Sequence, residues 1–155
     1  MKYKIAFLIG SESDRIIVES SVPYFKYFKL DLDLLVMSAH RNPSKVSDFA
    51  LTAINNGYSL IVCGAGMAAH LGGAIKANTS LPVIGVPLAG GMMDGLDSLL
   101  STVQMPKGVP VATMSVGKSG AINAAIFCAE VLSLNDKKLV TKLDKFKKNG
   151  AKISD

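Results

Sequence analysis

The chain has no tryptophan, two cysteines, four tyrosines and six phenylalanines among its 155 residues. Its core must therefore be aliphatic, and Ile, Leu, Val, Ala and Met dominate the 49% of residues that are hydrophobic. Cys63 and Cys128 stand far apart in apolar runs, with no CxxC or metal-ligand spacing. That excludes a disulfide framework and a cysteine metal site, and both read as buried residues in a reducing compartment. No linker, internal repeat or low-complexity stretch divides the chain. No apolar run is long enough to span a bilayer. The segment 1–9 is too short for a signal peptide and is ended at once by Ser11-Glu12-Ser13-Asp14. It is expected to be a strand of a cytoplasmic protein.

At this length one domain covering 1–155 is expected, burying roughly two thirds of its unfolded surface. So high an apolar load also points to surface buried between subunits. The formal net charge is +5. Residues 136–155 hold seven Lys against three Asp, and the other 135 residues hold ten basic against nine acidic groups. The excess is thus a local Lys-rich helix and not a basic stripe, which argues against a nucleic-acid partner.

Strand and helix patterns alternate. Tyr3 to Ile9 is an apolar run interrupted only by Lys4, as in a central parallel strand. A helix is expected over 15–28, with Ser11, Ser13 and Asp14 as candidate caps. A second strand runs over 30–37 and a second helix over 44–56, with Asn42 as N-cap, Pro43 as first helical residue and Asn56-Gly57 at the stop. Leu60 to Cys63 is a third strand and Pro82 to Val86 a fourth. A helix follows over 92–103, a fifth strand over 109–114, and a helix over 121–134 that is apolar nearly all round. The last helix, with Asn135 as N-cap, carries Leu139, Val140, Leu143 and Phe146 in one stripe. The segment 136–149 is expected to pack on its own core, with docking on a neighbouring subunit as the alternative. The result is a three-layer, flavodoxin-like α/β fold with about five parallel strands.

Three loops would then converge at the carboxyl ends of the first three strands, where open α/β sheets bind ligands. They are Gly10 to Asp14, Ser38 to Pro43, and Gly64 to Gly73. Arg41, serine hydroxyls and helix N-termini suit a phosphate. Asp14 suits ribose hydroxyls, so the ligand class is a phosphorylated sugar or nucleotide. His40, on a rigid turn beside the presumed anion, can take and give a proton near neutral pH. His70 starts a helix in an apolar context and is left open between a site residue and a structural one. Gly64, Gly66 and Ala69 fit a dinucleotide pattern, G-x-G-x-x-A. The acid expected roughly twenty residues later is missing, and the pattern follows the third strand, so a dinucleotide cofactor is not expected. There is no metal cluster, no P-loop and no nucleophile–base pair. Proton shuffling on an already activated substrate is the chemistry left.

Four stretches resemble the PurE family, the N5-carboxyaminoimidazole ribonucleotide mutases of purine synthesis. They are Gly10-Ser11-Glu12-Ser13-Asp14, Ser38-Ala39-His40-Arg41-Asn42-Pro43, the segment 64–71 reading GAGMAAHL, and the segment 95–106 reading GLDSLLSTVQMP. The resemblance extends through Asn123-Ala124-Ala125. It implies that His40 is the general acid/base and that Ser11, Asp14 and Arg41 bind the ribonucleotide. It implies that Ser38 assists at the phosphate, that Ala39 binds substrate, and that Gly66 and the segment from Met67 to Leu71, with Ala68, His70 and Leu71 as substrate-binding residues, line the carboxylate and imidazole region. It further implies no cofactor, no metal and a homo-octamer. Asn42 stands where the family usually has Thr, Met67 where it has Gly, and Gly72 where it has Pro. Relatives that use free carbon dioxide with aminoimidazole ribonucleotide typically have Lys in place of Arg41 and lack the Ala-Ala-His-Leu run, so Arg41 and His70 favour the mutase branch. A carboxylase of that kind and a flavodoxin-like nucleotide-binding module are the alternatives.

Overall fold

A computed structural model describes residues 3–153. Residues 1 and 2 of the expected N-terminal strand lie outside the described residues. The chain forms five parallel strands in the order β2-β1-β3-β4-β5. These are β1 (Lys4–Ile9), β2 (Asp31–Val36), β3 (Tyr58–Gly66), β4 (Val83–Leu88) and β5 (Ala112–Thr113). The helices are α1 (Arg15–Glu19), α2 (Val22–Phe28), α3 (Pro43–Thr52), α4 (Leu71–Lys76), α5 (Leu96–Val103), α6 (Lys118–Ser133) and α7 (Lys137–Lys148). This is the flavodoxin-like order, and chain direction across the sheet reverses between β1 and β3.

Alternation along the strands divides the core in two. Ile5, Phe7 and Ile9 join Leu60, Val62, Ile84 and Val86 under α1, α2, α6 and α7. Ala6 and Leu8 join Ile61 and Cys63 under α3 and α4 on the other face. Helix α5 closes on Gly85, where a Cβ would lie 2.4 Å from Thr102 Cγ2, so only glycine admits it. Both cysteines are fully buried, which pushes their thiols far above the usual range and leaves them inert.

Several boundaries differ from expectation, each for a local reason. The helix expected over 15–28 is broken at Ser20-Ser21. Pro23 cannot donate to a preceding turn, and the hydroxyls of Ser20 and Ser21 donate back to the carbonyls of Ile17 and Val18 at 2.6 Å. The helix expected from Met92 is a 3-10 turn, Met92–Asp94, followed by α5. Met93, Asp94 and Gly95 have φ of 50°, 53° and 106°, and a right-handed helix cannot pass through three left-handed residues. The strand expected over 109–114 shrinks to two residues because Pro110 offers no donor to the ladder. Strands β3 and β4 each run further than expected, to Gly66 and Leu88, and α3 stops early, at Thr52.

Two capping expectations are corrected. Asn42 precedes α3, but its side chain makes no capping hydrogen bond. The N-cap of α7 is Asp136 and not Asn135; its carboxylate accepts the Lys138 N–H at 2.9 Å. Helix α7 packs on the chain's own core through Leu139, Leu143 and Phe146, whose ring meets Phe28 edge-on at 5.5 Å. Val140, expected in that stripe, is exposed.

Candidate active site

The site is built from turns that leave the carboxyl edge of the sheet. After β1, Ser11 starts a 3-10 turn over Glu12–Asp14. Its hydroxyl accepts from the Ser13 N–H at 3.4 Å and from the Ser13 hydroxyl at 2.9 Å, and its carbonyl accepts from the Asp14 N–H at 3.1 Å. These bonds fix the Asp14 carboxyl toward the cleft. Partial burial raises its pKa above the usual carboxylate value, and contacts with Ser11, Ser13 and Arg41 oppose that rise. A raised pKa means Asp14 supports the empty fold only in acid, fully below its ordinary 3.8, with that support lost as pH climbs through the raised value.

The second turn follows β2. The Met37 N–H donates to the Ile9 carbonyl at 2.9 Å, and the Asn42 N–H to the Ser38 carbonyl at 2.8 Å. Ser38 is buried, and its hydroxyl accepts from the Arg41 N–H at 3.3 Å. Ser38 braces the turn that precedes α3, and no side chain takes the capping place expected of Asn42. His40 and Arg41 are left exposed on a turn held from inside.

The third loop begins where β3 ends at Gly66. Met67 sits in the left-handed region with φ 52°. The Ser101 hydroxyl of α5 ties this loop: it accepts from the Ala69 N–H at 3.0 Å and lies 3.1 Å from the Met67 carbonyl. His70 then opens α4. Its Nδ1 is 2.7 Å from His40 Nε2, with the rings near perpendicular at 4.8 Å. One of these nitrogens must donate and the other accept, so the tautomers of the two rings are coupled. His70, left open between a site residue and a structural one, lines the cleft beside His40.

All ten residues expected at the site line one cleft of about 420 Å3: Ser11, Asp14, Ser38, Ala39, His40, Arg41, Gly66, Ala68, His70 and Leu71. Ala89 and Gly90, after β4, complete its wall. Neither is assigned to the site from sequence, although a fourth strand ending at the same edge is a signal that could have placed them. Ser101 was missed as a tether, and nothing in a helical serine announces that use. Gly64 of the dinucleotide-like pattern lies within β3, where a Cβ would press at 3.3 Å on Phe7 and Ile9. Its smallness serves strand packing. Among the described residues no group of three or more His, Cys, Asp and Glu could hold a metal ion.

Met67 carries a backbone penalty that glycine would not. Met67→Gly is expected to raise stability by up to about 1 kcal/mol, since the left-handed strain removed exceeds the chain entropy added. Equilibrium urea unfolding measures this, and an unchanged or lower midpoint would show that the Met67 side chain contributes more than its backbone costs.

The sequence pattern of the family described as AIR carboxylase matches residues 4–152. The N5-carboxyaminoimidazole ribonucleotide mutase of Escherichia coli (strain K12) is 43% identical over 145 residues, covering 94% of this chain and 86% of that protein. The protein of the same name from Saccharolobus solfataricus is 46% identical over 143 residues, covering 92% and 89%. Among solved structures, Treponema denticola PurE superposes with a TM-score of 0.87 at 23% identity, covering 97% of this chain and 92% of that one. That last likeness establishes the shared fold, while the sequence matches establish descent: this chain belongs to the AIR carboxylase family, the PurE family whose motifs form its three cleft loops.

Proposed function

We propose that the chain is an N5-carboxyaminoimidazole ribonucleotide mutase acting in purine biosynthesis. The mutase name carried by its relatives supports this reading. The observation that carries it is the facing of two turns across one cleft, His40 and Arg41 on one and Ser11 and Asp14 on the other. In this reading Arg41 and Ser38 hold the phosphate, Asp14 and Ser11 hold the ribose, and the ring lies toward Gly66, Ala68 and Leu71.

The reaction is an isomerisation, so its atoms balance within one molecule. The bond from the exocyclic nitrogen to the carboxylate carbon breaks, releasing carbon dioxide and returning its electron pair to the aminoimidazole. C4 of the ring then attacks the same carbon dioxide. The new C–C bond leaves C4 with one hydrogen too many, His40 removes that proton, and the nitrogen regains one. The reaction therefore has no net oxidant, reductant or co-substrate to supply. Its physical demand is that carbon dioxide be kept in and water out while the bond is open. Small apolar walls at Ala65, Gly66 and Ala68 suit that demand. His70 holds the orientation of the His40 ring through their shared hydrogen bond, and so acts as a positioning residue.

Met67, which lines the cleft, is exposed, as are Met92 and Met93 after β4 and Leu100 and Val103 of α5, Met93 by 76%. Exposed large apolar side chains at this density favour burial against further copies. This fits the homo-octamer the family resemblance implies, with active sites close to subunit contacts. Among the described residues no helix is long and apolar enough to cross a membrane, and we place the enzyme's work in the cytoplasm.

The substrate choice separates the mutase from the carboxylase of related chemistry. Purified protein supplied with N5-carboxyaminoimidazole ribonucleotide is expected to form 4-carboxy-5-aminoimidazole ribonucleotide. With aminoimidazole ribonucleotide and bicarbonate it is expected to form little. The reverse preference would overturn the assignment.

A further inference from the structure

A second cleft, of about 460 Å3, opens at the opposite edge of the sheet. Tyr3, just before β1, lines it, whereas Gly10, just after β1, lines the catalytic cleft. Seven residues of extended chain separate the two by roughly 23 Å. The carboxylate transfer makes no use of this second cleft.

Its chemistry is one-sided. Tyr3, Phe28 and Leu139 give an apolar floor. Lys29, Lys138, Lys142 and Lys145 form the rim, with Asp136 as the one acid among the lining residues. The Asp136 carboxylate is already committed to the Lys138 N–H as the cap of α7. The ion pairs formed among the described residues involve Lys4, Arg15 and Lys147, and none of the four rim lysines. Lys142 is partly buried, donates to the Tyr27 carbonyl and sits 4.8 Å from the Tyr27 ring centroid. Burial, with the like charges of Lys29 and Lys145 adding to it, lowers its pKa. Lys29 is also held in the left-handed region, with φ 57°, at the end of α2. Glycine is the unstrained choice there, yet a cation stands in that place and faces the cleft.

We propose that this cleft binds a nucleoside diphosphate, its phosphates on the lysine rim and its base on the Tyr3–Leu139 floor. Four cations against one occupied acid match a ligand with two or three negative charges, and an apolar floor has no use for inorganic phosphate alone. The volume lies in the usual range for small-molecule sites. The lysines of the last helix are thereby more than a solvated face: three of them, at 138, 142 and 145, recur at helical spacing on the side that meets Lys29.

The test is calorimetric titration of the full-length protein with ADP, at low and at near-physiological salt. ADP is expected to bind, more weakly at the higher salt. Pyrophosphate and adenosine, each lacking one half of the ligand, are expected to bind at least about tenfold more weakly. The exposed pair Lys138→Glu/Lys145→Glu should weaken ADP roughly tenfold or more while carboxylate transfer stays unchanged. The charge-matched pair Lys137→Glu/Lys148→Glu, outside the cleft, should leave ADP binding as it was. The proposal is overturned if ADP does not bind, if both double variants lose it equally, or if pyrophosphate binds as well as ADP. It is also overturned if the product ribonucleotide displaces ADP competitively, because ADP would then be in the catalytic cleft. None of these outcomes depends on which carboxylate-transfer reaction the enzyme performs.

Discussion

Replacing His40 by Asn is expected to lower kcat by roughly 10²–10⁴-fold, the range for loss of a positioned general acid/base. The product's dissociation constant should change by no more than a few-fold. His40 is exposed on a turn whose bonds run through Ser38, the Ile9 carbonyl and the Asn42 N–H, so its imidazole holds nothing up. Asn can fill the space and offer a hydrogen bond to His70, but it cannot carry a proton near neutral pH. His70→Asn should cost less, because it removes the partner that orients His40 and leaves the proton carrier in place. The double variant should be no slower than His40→Asn alone, since residues acting as one unit give non-additive losses. Steady-state kinetics with product binding measured in parallel decide this. Near-normal turnover in His40→Asn would refute its role. Additive losses would mean that His70 works independently.

Arg41→Ala is expected to act on binding. A charge-assisted contact to phosphate is worth about 1.5–3 kcal/mol, which converts to a KM roughly ten- to a hundredfold higher with kcat changed far less. The side chain is exposed and its removal should leave the unfolding midpoint within about 0.5 kcal/mol. A fall in kcat with unchanged KM would instead put Arg41 at the reacting carboxylate and reverse the orientation of the substrate in the cleft.

The parts legible in the sequence were those written in a local code. Apolar runs separated by helix-period segments carried the parallel sheet and its number of strands. Gly10 and Ser38, just past β1 and β2, marked the edge where the loops converge, and the polar residues of those loops lie in one cleft; the third loop starts later than expected, after Gly66 and not at Gly64. Breaks were less legible even where their cause was visible. Pro23 lies inside the expected first helix, and Pro110 inside the expected fifth strand, and in both places the missing N–H overrode a favourable apolar pattern. Features that need distance in sequence were hidden. His40 and His70 are thirty residues apart and meet only because β1, β2 and β3 are neighbours. Ser101 reaches Ala69 and Met67 only because Gly85 lets α5 settle on the sheet. The lysines of α7 gather at a cleft only once Lys29 and Tyr3 are brought to the same edge.

A structure of the protein with 4-carboxy-5-aminoimidazole ribonucleotide bound measures the pairing of imidazole and anion site directly. The phosphate should lie against Arg41 and Ser38, the ribose hydroxyls against Asp14, and ring atom C4 within roughly 3–3.5 Å of a His40 nitrogen. A nucleotide seated with its ring away from His40, or outside the cleft between the first three loops, would contradict the proposed chemistry.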